Sequence, residues 1–113
     1  MLGKEHPSTL TTMHDLATNY FYLGEYQKAK ELNIQVLESR KKVLGNEHPA
    51  TLLSMNDLAY IYDMNKEHKK AQEIYVDALK KSINLRDEDF PRNLILQNFE
   101  LNQENVRIEK ESK

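Results

Sequence analysis

Apolar residues return along this chain with the period of an α-helix, in blocks separated by short polar or glycine-containing breaks. From Pro7 they fall at Leu10, Met13, Leu16, Ala17 and Tyr20. Proline suits a first helical turn, because its missing N–H would be unpaired there anyway. Gly24 supplies the positive φ that ends this block. A second helix is expected from about Glu25, burying Ala29, Leu32, Val36, Leu37 and Val43 or Leu44, and Gly45 closes it as a C′ glycine. A third block carries Leu52, Met55, Leu58, Ala59 and Tyr62, and a fourth carries Ala71, Ile74, Tyr75, Ala78, Leu79 and Ile83. Between them Asn65 is expected to take the left-handed turn position, shifting the turn by one residue. A fifth helix starts near Pro91, with a polar tail from Glu104 to Lys113 expected to fray.

The blocks repeat. Residues 2–43 laid on 44–85 without a gap give 17 identical columns in 42, from Leu2/Leu44 to Leu37/Leu79. The linker Leu-Gly-x-Glu-His-Pro-x-Thr-Leu occurs at Leu2–Leu10 and again at Leu44–Leu52. Prolines at 7, 49 and 91 keep the same spacing, so a third, degenerate unit follows. The small columns Ala17/Ala59 and Ala29/Ala71 are expected where helix axes approach closely, and bulk there would cost about 1–3 kcal/mol. The expected fold is all-α: antiparallel helix pairs in one domain over 1–113, with repeat one at about 2–43, repeat two at about 44–85 and a C-terminal capping helix at about 86–109.

The residues Leu16-Ala17…Tyr20…Gly24-x-Tyr26-x-x-Ala29-x-x-Leu32, and Leu58-Ala59…Tyr62…Ala71-x-x-Ile74, resemble tetratricopeptide repeats. The 42-residue period and the Glu-His-Pro linker look like the kinesin-light-chain type of that family. The resemblance implies an α-solenoid that binds proteins, with the first helix of each unit lining a concave groove. It assigns to that groove Thr11, His14, Thr18 and Phe21, then Leu53, Asn56, Tyr60 and Asp63, then Ile95, Asn98 and Asn102. The +3, +4, +3 spacing of the first two sets places each on one helical stripe independently. The family's Asn-Asn-Leu-Ala signature reads His14-Asp15-Leu16-Ala17 and Asn56-Asp57-Leu58-Ala59 here, which adds Asp15 to the candidates and makes the groove more acidic. No Lys or Arg stands in these columns, so a neutral or basic peptide is the expected partner. The competing view of the stripe is a solvated helical face.

Composition narrows the remaining options. The chain has 113 residues, a net charge near −2 and no cysteine. Balanced charge argues against nucleic-acid or membrane-surface binding driven by bulk charge. The absence of thiols excludes disulfides and fits a reducing, cytoplasmic setting. No apolar run approaches the roughly 20 residues of a membrane span. His6 and His48 each stand beside a glutamate, but without a local ligand partner they read as helix caps, not metal ligands. No nucleophile turn or phosphate-binding glycine loop is present, so neither catalysis nor a cofactor is expected. The run Lys66-Glu67-His68-Lys69-Lys70, weighed as an RNA or acidic-partner contact, reads as the solvated start of a helix. The expected function is a protein–protein interaction scaffold or adaptor that holds a peptide in its groove. The alternative is a structural segment that completes itself on a second copy or on adjoining repeats, because two units fall short of the about three such arrays need. That view leaves the Leu10/Tyr20 side of the first helix open.

Overall fold

The computed structural model describes residues 7–86 and 92–112. Among them five helices follow one another: α1 (Pro7–Tyr22), α2 (Tyr26–Leu44), α3 (Pro49–Met64), α4 (His68–Lys81) and α5 (Arg92–Glu111). Each packs on the next in sequence, and α3 also touches α5. This is the expected all-α solenoid: α1 and α2 form unit one, α3 and α4 unit two, and α5 closes the stack. The expected starts of the chain and of the fifth helix, with His6 and Pro91, lie outside the described residues.

Local chemistry sets the helix ends. His48 is extended and its Nδ1 accepts from the Ala50 N–H at 3.1 Å, so it caps α3 directly before Pro49. This satisfies one of the orphan N–H groups of the first turn. Gly24 sits at φ 81°, and the Glu25 N–H reaches Tyr20 O at 2.9 Å. That five-residue return is a Schellman closure. Unit two makes the same closure, with the Glu67 N–H on Tyr62 O at 2.8 Å. The left-handed residue there is Lys66 at φ 64°, not Asn65 at φ −87°. The turn keeps its register because the paired bonds demand the left-handed residue at that column, whatever its side chain. Gly45 also has positive φ, at 99°.

The core forms where α3 is clasped by α2, α4 and α5. Leu52, Ala59, Ala71, Tyr75, Ala78 and Ile95 are fully buried. All four small columns, Ala17, Ala59, Ala29 and Ala71, have no exposure. Several expected core positions are instead open. Leu16 is 44% exposed although its repeat partner Leu58 is 4% exposed. The difference arises because Leu58 has α2 of the preceding unit beside it, and no helix among the described residues covers Leu16 in the same way. Leu10, expected on the open side, is buried. Val43 and Leu44 extend past the packed part of α2, and Ile83 lies in the turn after α4; all three are exposed. The polar tail does not fray before Glu111. Asn102 and Val106 are buried, and Arg107 bridges Glu104 and Glu111 one turn to either side.

Two tethers join the units through arginine. Arg40 of α2 donates to Ser54 Oγ and Ala50 O on α3. At the next junction Arg92 of α5 reaches back to Ser82 O and Leu85 O. Ser82 occupies the column of Arg40, and Arg92 that of Ala50, so the donor has changed sides while the contact persists. Lys30 of α2 also crosses the first junction, pairing with Glu67 at 2.9 Å and lying 5.0 Å over the Tyr62 ring. The Lys30 ammonium and the Asn65 amide hold the Glu67 carboxyl below the usual carboxylate range.

Candidate functional site

Two clefts open along the side formed by α1, α3 and α5. The first, of about 170 Å³, is lined by His14, Thr18, Phe21, Tyr22 and Asn33 of unit one and by Asp57, Tyr60 and Ile61 of unit two. The second, of about 250 Å³, is lined by Tyr60, Asp63, Met64, Asn98, Leu101, Glu104 and Asn105. Tyr60 borders both and is 40% exposed.

The sequence candidates distribute unevenly over this surface. His14, Thr18, Phe21 and Tyr60 meet in the first cleft. Thr18 Oγ1 donates to His14 O at 3.0 Å, the usual back-bond of a threonine within a helix. Phe21 makes ring contacts at 5.5 Å with each of Tyr22, Tyr26 and Tyr60. Tyr60, Asp63 and Asn98 meet in the second cleft. Thr11 and Asp15 are exposed, and Leu53 is half-buried against the core; none of these three lines either cleft.

Four polar or apolar candidates face the junction between units more than the groove. Asn56 is 4% exposed, and its Oδ1 accepts from Asn98 Nδ2 at 3.0 Å. Asp63 is 9% exposed and its Oδ1 takes two bonds of 2.8 Å, from His68 Nδ1 and Asn102 Nδ2. Asn102 is wholly buried and also donates to His68 O. Ile95, expected on the concave face, packs in the core with Tyr75 and Ala71. Its column looks toward the preceding unit, as does Leu53, so apolar side chains there cover the junction.

Four first-cleft residues were absent from the sequence candidates: Tyr22, Asn33, Asp57 and Ile61. Asp57 shares its column with Asp15 and was visible in the altered family signature. Asn33 was signalled only by a break in the repeat, since its column holds Tyr75 in unit two. Burial pushes the Asp57 carboxyl above the usual carboxylate range, opposed by the nearby charges of His14 and Arg40. The first cleft holds aromatic walls, a partly exposed carboxylate and an amide group. Among the described residues no cluster of three or more His, Cys, Asp or Glu could hold a metal ion.

The family model for the tetratricopeptide repeat matches residues 9–82. The chain belongs to the tetratricopeptide-repeat family. Its repeats are of the kinesin-light-chain type. Two crystal structures of nearly identical TPR-like repeats, from a Podosopora anserina protein assigned as a kinesin light chain, superpose with TM-scores of 0.82 and 0.81 at 32% identity. The match covers 97% of this chain and 52% and 53% of those two, so the chain spans about half their length. No match is found among the curated proteins. Repeats of this family serve in protein–protein interaction. Among the described residues of this member, no helix is long and apolar enough to cross a membrane.

Proposed function

We propose that this tetratricopeptide-repeat chain is a cytoplasmic, non-catalytic scaffold or adaptor module that holds a peptide segment of a partner protein across α1, α3 and α5. One observation carries the reading. The two clefts flank Tyr60, one on each side, and lie in succession along the first helices of successive units, lined by aromatic and amide side chains. An extended peptide can place side chains in successive clefts while amides bond its backbone. The partner is neutral or basic, because Asp57, Asp63 and Glu104 border the clefts and no Lys or Arg lines either one. Pull-down with mass spectrometry, wild type beside Tyr60→Asp, tests it. Partners lost with the variant support the reading, and an unchanged set of partners with a folded variant counts against it.

A second reading has its own observation. The open column of unit one, Leu16 with Tyr20 and Leu32, matches Leu58, Tyr62 and Ile74 of unit two, which α2 covers. In this reading the face receives the second helix of a further repeat or copy, and the chain is a structural segment of an array. Sedimentation over a hundredfold concentration range separates the two. A strict monomer that binds peptide removes self-assembly through this face.

A further inference from the structure

The first cleft carries unmet hydrogen-bonding demand. Asn33 is 3% exposed, and its Nδ2 donates to Ala29 O at 3.2 Å. Its Oδ1 is buried and receives no hydrogen bond from any described residue. His14 Nδ1 is likewise buried without a bond, with Asp57 Oδ2 3.7 Å away, too far for one. Leaving such a group unmade costs free energy, so a native chain that keeps it has a reason to. The Asp57 carboxylate adds a further acceptor, and the Thr18 hydroxyl is committed to His14 O. Around these stand the rings of Phe21, Tyr22 and Tyr60. In unit two the Asn33 column is Tyr75, whose fully buried ring fills the corresponding space.

A buried amide oxygen, a carboxylate and π faces together favour a ligand that is rich in donors, flat and positively charged. A guanidinium meets that description: five N–H groups in a plane that stacks on rings. An ammonium is a compact point charge that stacks on nothing and is more strongly hydrated. We propose that the cleft between unit one and unit two is the anchor pocket for one arginine side chain of the bound peptide, with Asp57 and Asn33 Oδ1 accepting from the guanidinium and Phe21 and Tyr60 flanking it. This rests on the groove reading above and names the residue type that the groove selects. The raised carboxyl of Asp57 agrees with it, since partial burial disfavours the charge and a further cation would favour it.

The test uses the full chain and three capped heptapeptides, Gly-Ser-Leu-X-Leu-Ser-Gly, with X as arginine, citrulline or lysine. Amide chemical shifts and calorimetry are read together. The arginine peptide is expected to shift Asn33, Asp57 and Tyr60. Citrulline, isosteric but neutral, is expected to bind about tenfold more weakly. Asp57→Asn is expected to remove that preference and to melt close to wild type, because the side chain is 40% exposed and keeps its shape. Tyr60→Leu provides a second variant, expected to weaken the arginine peptide more than the citrulline one. Equal binding of arginine and citrulline, lysine binding as tightly as arginine, or an arginine preference that survives in folded Asp57→Asn each overturns the pocket. Shifts along both clefts with no arginine preference keep the groove and remove only the pocket. Shifts confined to α2 and α4 remove both.

Discussion

Between unit one and unit two the cleft positions are His14, Thr18, Phe21, Asn33, Asp57 and Tyr60. Forty-two residues on, the same positions between unit two and α5 are Asn56, Tyr60, Asp63, Tyr75, Phe99 and Asn102. The backbone scheme is one and the same; the side chains have traded roles. At the second junction Asn56 bonds Asn98, Asp63 bonds His68 and Asn102, and the Tyr75 and Phe99 rings meet at 6.3 Å. These bonds hold α5, while Asn102 Oδ1 and the Tyr75 hydroxyl are bonded to none of the described residues. At the first junction the aromatic residues lie at the mouth, and Asn33 Oδ1 and His14 Nδ1 are unbonded. The same columns therefore hold the second junction together and border an open cleft at the first.

The largest effect that follows from the contrast is at Asp63. Asp63→Ala leaves Asn102 and His68 without their shared acceptor in a buried site. The loss is expected to be about 2–4 kcal/mol, since orphaning buried partners costs more than the bond itself contributes. Urea unfolding would show it as a lower midpoint. A change below about 1 kcal/mol would mean that α5 is held by apolar packing alone and that the two junctions differ less than their bonds suggest.

Asn56→Ala comes next. From sequence, Asn56 belongs to an exposed stripe, and its removal is expected to weaken partner binding without touching stability. Its burial and its bond to Asn98 change the expectation to a loss of about 1 kcal/mol. Faster hydrogen exchange in α5 than in α1 would locate the damage at the second junction. Equal loosening of both helices would argue that the junctions are not separate units of cohesion.

These two residues show where sequence reading reaches its limit. The repeat, the helices and the alanine columns were legible because they depend on period and size, which one chain displays openly. His48 was legible as a cap because proline follows it. Asn56 and Asp63 were not legible as buried groups. Polar residues at helical spacing look like a surface stripe until their partners are known, and those partners, Asn98 and Asn102, stand 42 and 39 residues away. Leu16 failed for the converse reason: its column is apolar whether or not a neighbour covers it. Asn33 of the first cleft was hidden because its column departs from the repeat, with Tyr75 in unit two, and periodicity averages such departures away.

The two turns give a smaller, symmetrical test. Gly24 and Lys66 occupy one column, at φ 81° and 64°, with the same Schellman bonds. A side chain at such a φ costs about 1 kcal/mol. Lys66→Gly is expected to stabilise unit two by about 0.5–1 kcal/mol, and Gly24→Ala to destabilise unit one by about 1 kcal/mol. The added Cβ at Gly24 meets nothing within 4 Å, so the penalty there is conformational and not steric contact. Opposite signs in thermal melting confirm that both turns use one geometry. A loss from Lys66→Gly would show that the lysine stem contributes packing that offsets its strain.

The smallest effect distinguishes what Tyr75 does from what Asn33 does. Tyr75 fills the column with a fully buried ring, yet its hydroxyl is bonded to none of the described residues. Burial, with the charges of Asp63 and Asp57 nearby, pushes that phenol far above its ordinary range, so it stays neutral. Tyr75→Phe removes an unpaired polar atom and keeps the ring. Stability is expected to change by less than about 0.5 kcal/mol or to rise slightly, because nothing is orphaned by the change. A loss above about 1 kcal/mol would place a hydrogen-bond partner on that hydroxyl. The second junction would then carry a polar demand at this column too, and the space filled by Tyr75 would resemble the one left open by Asn33 more closely than its shape indicates.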